Sequence, residues 1–244
     1  MKALRTVWRL CRVIAHLASG LWIIHRTFPG LTAHERDAHV QAWAITMLGR
    51  LSMRLVVRGQ ASGGPVLLAA NHISWADIVV MHAARHCRFI SKSDVKHWPI
   101  VGTLATAAGT LYISRESPRD AMRVVHHMVE CLKAGDVLAV FPEGTTGDGS
   151  TLLPFHGNLL QAAITAKAPV QPVALSFMDS ATGQRSFAPC YIGDDTLVRS
   201  LWRTLGADHL VAVVEFGEPQ DAAGRDRRHW AADLREAIST LRAR

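Results

Sequence analysis

The chain has 244 residues, 49% of them hydrophobic, with 27 basic residues against 20 acidic ones for a formal charge of +7. That length and apolar content exclude a chain too polar to bury a core and fit one large domain, or a domain with a small appendage. The charge favours anionic partners, and the absence of zinc-finger, basic-zipper or RNA-recognition patterns turns that preference from nucleic acid toward phosphate groups and acidic lipid.

The first 50 residues read as two helical pieces broken at Pro29-Gly30, the second starting in the polar run Thr32 to Arg36. In the first piece Lys2, Arg5, Arg9, Arg12 and Arg26 flank an apolar stretch with Trp8 and Trp22 near its ends. The uncharged run from Val13 to Ile24 is too short for a bilayer span, which needs about 20 residues. No small-residue cleavage site follows it, which argues against a secretory leader. The reading is a helix lying in a membrane surface, with a helix packed on the domain as its rival. Residues 1–50 are therefore set apart as an N-terminal helical membrane-docking segment, and residues 51–244 as the main domain.

Leu51 to Gly59 alternates as a first strand, and Val66 to Ala70 is a continuous apolar run, the mark of a buried strand. Directly after it come Asn71-His72-Ile73-Ser74-Trp75-Ala76-Asp77. A histidine titrates near neutral pH and suits proton transfer from an alcohol, and a carboxylate can orient its ring and stabilise its charged form. Five residues of regular helix turn by about 500°, so His72 and Asp77 cannot share a helical face. They meet only if His72 sits on the turn before the helix and Asp77 in its first turn. Ser74 to Asp77 fits a capping box that would start the helix at that place. A purely structural cap, with His72 an ordinary loop residue, is the alternative.

Cys87 to Ser91 and Thr110 to Ser114 read as strands, the second leading to Arg115, whose planar fork suits phosphate. Ser117-Pro118 starts a helix with an apolar face of Ala121, Val124, Val125, Met128, Val129 and Leu132, which Gly135 ends. Val137 to Phe141 is a strand running into Pro142-Glu143-Gly144-Thr145-Thr146-Gly147, a loop of small residues without the lysine of a nucleotide-binding loop. A short helix near Asn158 to Lys167 follows. Strands then fall at Val170 to Ser176, Phe187 to Ile192 and Leu210 to Phe216, and a last helix near Arg227 to Arg244 carries Leu234, Ile238 and Leu241 on one side. Alternating strands and helices predict an α/β fold: a mixed, largely parallel sheet covered by helices on both faces. Cys11, Cys87, Cys131 and Cys190 are scattered and read as free thiols. The histidines show no metal-ligand spacing.

Four blocks stand in one order: N-H-x-S-x-x-D (Asn71 to Asp77), G-x-x-x-I-x-R (Gly109 to Arg115), F-P-E-G-T (Phe141 to Thr145) and Pro169-Val170-Gln171-Pro172-Val173. In that order they resemble the glycerolipid acyltransferases of the lysophosphatidic acid acyltransferase type, over roughly Leu51 to Phe216. The resemblance implies the fold of that family and its reaction. An acyl group passes from an acyl-CoA or acyl-carrier-protein thioester to the free hydroxyl of a lysophospholipid, at the cytoplasmic face of the inner membrane. It implies His72 as general base and Asp77 as its orienting partner. It implies Arg115 on the head-group phosphate, with Glu143, Gly144 and Thr145 shaping the acceptor site. No metal and no bound cofactor are implied, since the thioester carries the activation. Two positions depart from the pattern. Thr146-Gly147 stand where many members have Arg-Ser, and His156 where many have lysine. These departures bring lysolipids with other head groups, such as lyso-ornithine lipid, beside lysophosphatidic acid. Lys92 and Lys96 are candidates for the missing charge. A hydrolase and a non-catalytic lipid-binding protein are the competing classes; the first lacks a G-x-S-x-G elbow, and the second does not explain why every motif position is filled.

Overall fold

The computed structural model describes residues 1–113 and 118–243. Helices α1 (Lys2–Arg26) and α2 (Ala33–Arg50) precede β1 (Met53–Arg58) and β2 (Val66–Ala70). Then follow α3 (Ala76–Ala84), β3 (Arg88–Lys92), α4 (Val101–Ala107), β4 (Leu111–Ile113), α5 (Pro118–Lys133) and β5 (Val137–Val140). The chain closes with α6 (Leu160–Ala166), β6 (Val170–Asp179), α7 (Leu197–Gly206), β7 (Leu210–Phe216) and α8 (Arg227–Arg242). The strands form one sheet in the order β1-β7-β6-β2-β5-β3-β4. Every neighbouring pair is parallel except β6 with β7.

The two faces of the sheet follow from side-chain alternation along each strand. On β2, Val66, Leu68 and Ala70 pack with α2 and α3, whereas Leu67 and Ala69 pack with α5, α6 and α8. All five are fully buried. That double burial is why β2 reads as an unbroken apolar run instead of an alternating one. The connection after β2 leaves toward the α3 face, while the one after β5 leads to α6 on the other. Adjacent parallel strands whose connections part in this way open a crevice at their carboxyl ends. His72 lies at the end of β2 and Glu143 at the end of β5.

At the amino end, Thr32 caps α2 through a complete capping box with Glu35. Helix α1 packs one side on the body. Arg9 donates to the carbonyls of Leu205 and Ala207 at 2.8 Å each and to Asp208 at 3.0 Å, and Val13 is buried. Its other side exposes Leu4, Val7, Trp8, Ile14 and Trp22. The helix is long and apolar enough to cross a membrane by length and composition. Withdrawing it would unpair the Arg9 guanidinium from its carbonyl and carboxylate partners.

One predicted strand is absent. Phe187 to Ile192 forms no ladder. The chain reverses after β6, makes an isolated bridge between Met178 and Arg185, and gives the Ser186 N–H to the Phe177 carbonyl. It then reaches Pro189, which has no N–H for a ladder. The edge of β6 beyond β2 is instead met by Asn71, whose side chain exchanges both hydrogen bonds with the Leu175 backbone at 2.7 and 3.1 Å. Two helices that the sequence pattern left unassigned, α4 and α7, are short; α7 is capped by Thr196, which accepts from the Arg199 N–H. Cys87, Cys131 and Cys190 are buried free thiols, and Cys11 is exposed on α1.

Candidate active site

His72 stands two residues past the end of β2 and ahead of α3. Asp77 lies in the first turn of that helix with no solvent exposure. Its Oδ2 accepts three hydrogen bonds: from the His72 ring at Nδ1 (2.8 Å), from the Ile73 N–H (2.6 Å) and from the Ser74 N–H (2.9 Å). Ser74 Oγ in turn accepts from the Ala76 N–H at 3.1 Å. The capping reading and the dyad reading are thus one arrangement. The helix begins at Ala76, a residue later than a Ser74 cap predicts, and the serine engages the N–H two residues on instead of three.

With Nδ1–H given to the carboxylate, Nε2 carries the free lone pair. The His72 side chain keeps 19% exposure while Asp77 keeps none, so the histidine alone is reachable from outside. Phe141 stacks flat on the imidazole at 3.9 Å between centroids and 8° between planes, and Phe89 stacks on Phe141 at 5.6 Å. The ring is held on an edge by Asp77 and on a face by Phe141.

Glu143 arrives from the turn after β5. That turn closes through the Gly144 N–H on the Phe141 carbonyl at 3.0 Å, with Gly144 at φ 70°, a conformation natural to glycine. Glu143 is buried, and both of its oxygens are taken by backbone. Oε1 accepts the His72 N–H at 2.7 Å and Oε2 the Leu153 N–H at 2.9 Å. Burial raises its pKa, opposed by those two N–H donors and by the charges of His72 and Arg242. The resemblance implied that Glu143 helps shape the acceptor site; in the structure its carboxylate lies on the backbone N–H of His72. The His72 carbonyl also accepts the Gly147 N–H at 2.9 Å, so the loop after β5 grips His72 from both sides. Thr145 is exposed beside this turn, and the Thr146 hydroxyl is spent on the Tyr191 carbonyl.

Arg115 lies outside the described residues. Lys92 and Lys96 are exposed, with Lys96 5.9 Å from the centre of the Tyr112 ring. In the fourth block Pro172 faces Ala69 in the sheet register, and buried Gln171 bonds the Ser62 N–H and the Gln60 and Gly217 carbonyls. That block braces the turn between β1 and β2. Asn71 and Phe141 are site residues whose roles the motif spacing did not reveal. Each opens a motif block, but the partners that define its role, Leu175 and the His72 ring, come from other segments.

Residues 53–176 match the family model described as Acyltransferase. The chain is 35% identical to the lyso-ornithine lipid O-acyltransferase of Pseudomonas aeruginosa, over 98% of this chain and 93% of that one. It is 36% identical to the 1-acyl-sn-glycerol-3-phosphate acyltransferase of Neisseria gonorrhoeae, over 96% and 91%. Among solved structures, the 1-acyl-sn-glycerophosphate acyltransferase of Thermotoga maritima superposes with a TM-score of 0.71 at 20% identity. That match covers 100% of this chain and 99% of that one, and it shows the shared fold.

Proposed function

The chain belongs to the acyltransferase family, and from that premise we propose that it transfers a fatty acyl group from a thioester to the free hydroxyl of a lysolipid, with His72 as general base. The observation that carries the reading is the His72–Asp77 pair: a buried carboxylate holds Nδ1 and leaves Nε2 free at the carboxyl end of the sheet. The acceptor hydroxyl gives its proton to Nε2 as its oxygen attacks the thioester carbonyl. Asp77 stabilises the imidazolium that forms. The tetrahedral intermediate collapses, the carbon–sulfur bond breaks, and the proton returns from His72 to the departing thiolate. A base so placed contributes about 10²–10⁴-fold, and positioning of the two substrates supplies much of the rest.

Glu143 acts on the reaction through His72, as a positioning residue that fixes the backbone from which the imidazole projects. Gly144 and Thr145 border the same crevice and fall to the acceptor side. Arg115 keeps its assignment to the acceptor head group from its place in the sequence motif. Residues 1–50 dock the protein on the membrane. Support comes from the exposed apolar side of α1 with basic residues along it, and from the ties of Arg9 to the body, which favour lying on the surface over crossing it.

A specific observation favours an acceptor without a phosphate head group. At the two motif positions that depart from the family pattern next to the site, the Thr146 hydroxyl is given to the Tyr191 carbonyl and the Gly147 N–H to the His72 carbonyl, and neither residue brings the positive charge that an arginine would offer a phosphate. The relative from Pseudomonas aeruginosa is named for lyso-ornithine lipid. A panel of lysolipids with a labelled thioester donor tests both levels. Wild type should acylate lyso-ornithine lipid in preference to lysophosphatidic acid, and His72→Ala should transfer to neither while melting cooperatively. Undiminished transfer by His72→Ala would remove the base assignment, and a preference for lysophosphatidic acid would remove the head-group assignment.

A further inference from the structure

On the α8 side of the sheet, beyond the carboxyl end of β2, lies a cavity of about 640 Å³. Arg58, Arg185, Arg242, Glu215, Phe187 and Met178 are among its walls. Three guanidinium groups thus face one lining carboxylate, and that one, Glu215, lies 3.7 Å from Arg58. Arg185 and Arg242 converge on a single neutral acceptor, the Gly149 carbonyl. Two cations sharing one carbonyl repel each other. Burial first, and then Arg185, lower the pKa of Arg242. The charges of Glu143 and Asp148 oppose that shift through space, although their oxygens bond the His72 and Leu153 N–H groups and Ser150 and not the two guanidiniums. A guanidinium has five donors, and these two arginines spend few of them on protein. The arrangement is built for an anion with several charges.

Size and shape narrow the ligand. A bare phosphate would leave most of the space empty, whereas cavities of this volume hold cofactor-sized molecules. Phe187 is 54% exposed at the wall and offers a flat apolar face among the arginines. The cavity is also joined to the catalytic centre by one short loop. Gly147 donates to the His72 carbonyl, and two residues later Gly149 accepts from Arg185 and Arg242. A Cβ on Gly149 would come within 3.0 Å of Ile73, so the loop lies directly against the histidine's neighbour. The apolar side of α1 belongs to the opposite layer, since α1 packs with the α2 and α3 core. A water-soluble polyanion attached to the thioester therefore suits this place better than a head group whose chains remain in a bilayer.

We propose that this cavity seats the adenosine bisphosphate end of an acyl-coenzyme A donor, with Arg58, Arg185 and Arg242 on its phosphates and Phe187 against the adenine. The assignment rests on the acyltransferase reading above and selects coenzyme A over acyl carrier protein as donor.

The test is titration of the full-length protein with adenosine 3′,5′-bisphosphate, followed by kinetics with both donors. Wild type should bind the nucleotide saturably. The double variant Arg185→Gln/Arg242→Gln should bind it at least about tenfold more weakly, as expected for lost charge-assisted contacts. Arg58→Gln, which leaves the Gly149 contacts intact, should weaken it in the same direction and guards against a loop disturbed by the double change. The KM for acyl-CoA should rise in parallel while the KM for lysolipid acceptor stays unchanged, and wild type should use acyl-CoA in preference to acyl carrier protein donor. Absence of nucleotide binding by wild type, equal binding by the variants, or a rise in acceptor KM instead would overturn the proposal. Titration needs no turnover, so the two readings fail separately. Binding without transfer defeats the enzyme reading, and transfer without nucleotide binding defeats this one.

Discussion

Replacing Asp77 by Asn keeps the size of the side chain and removes its charge, at a position with no solvent exposure and three N–H donors on one oxygen. If the amide oxygen takes the place of Oδ2, all three hydrogen bonds persist as neutral ones. The NH₂ then occupies the place of Oδ1, which has no hydrogen-bond partner, so a buried donor is left unpaired. If the amide flips, its NH₂ opposes the Ile73 and Ser74 N–H groups and forces His72 into the tautomer whose Nε2 carries hydrogen and cannot act as base. The first arrangement weakens two charge-assisted bonds to the backbone, together costing about 2 kcal/mol. Against a typical stability of about 5–15 kcal/mol the protein stays folded, and its melting temperature falls by about 4–8 °C. Catalysis loses more. The imidazolium formed during attack no longer has a carboxylate at 2.8 Å. Loss of most of the general-base contribution lowers kcat by about 10²–10⁴, or about 3–5.5 kcal/mol in the barrier. Steady-state acyl transfer well below the melting transition measures the first quantity, and calorimetry the second. A kcat within about threefold of wild type in a folded Asp77→Asn protein would refute the dyad.

Three further outcomes follow from the same geometry. Phe141→Leu removes the flat stack on His72 and should lower kcat up to about tenfold, the worth of an aromatic pair, with acceptor KM unchanged; an unaltered kcat would reduce Phe141 to packing alone. Burial raises the pKa of Glu143 above its ordinary 4.5, so the folded protein retains a proton that the unfolded chain has released. That contribution to stability is complete below the ordinary value and lost as pH rises through the raised one. Denaturation midpoints of wild type should carry this downward slope from about pH 4.5 upward, and those of Glu143→Gln should lack it; equal slopes would show that the carboxylate titrates as a solvated group. Trp8→Asp with Trp22→Asp, both exposed on α1, should release the protein from sedimenting anionic vesicles at unchanged melting temperature. Vesicle binding at the wild-type level would place the docking surface elsewhere.

Much of this protein is written in short-range pattern. The break at Pro29-Gly30, the buried run of β2, the bounds of β7 and the buried stripe of Leu234, Ile238 and Leu241 on α8 follow from periodicity and punctuation, because each depends on neighbours within a turn or a strand. The order of the four motif blocks likewise pointed to the family. The strand expected at Phe187 to Ile192 fails for a reason outside its own composition. Asn71 occupies the free edge of β6 at Leu175, and Pro189 cannot donate there.

The site divides along the same line. From the sequence, the turn angle of a helix allowed His72 and Asp77 to meet only with His72 before the helix and Asp77 in its first turn, and a purely structural cap stayed open beside that meeting. What Glu143 does was decided only in three dimensions. The parallel pairing of β2 with β5 brings residues 71 positions apart to 2.7 Å, and the carboxylate goes to a backbone N–H that no motif names. The arginines of the α8-side cavity belong to the same class. Arg58, Arg185 and Arg242 lie far apart in the chain, in segments without a shared pattern, and only the closing of the sheet gathers their charge in one place.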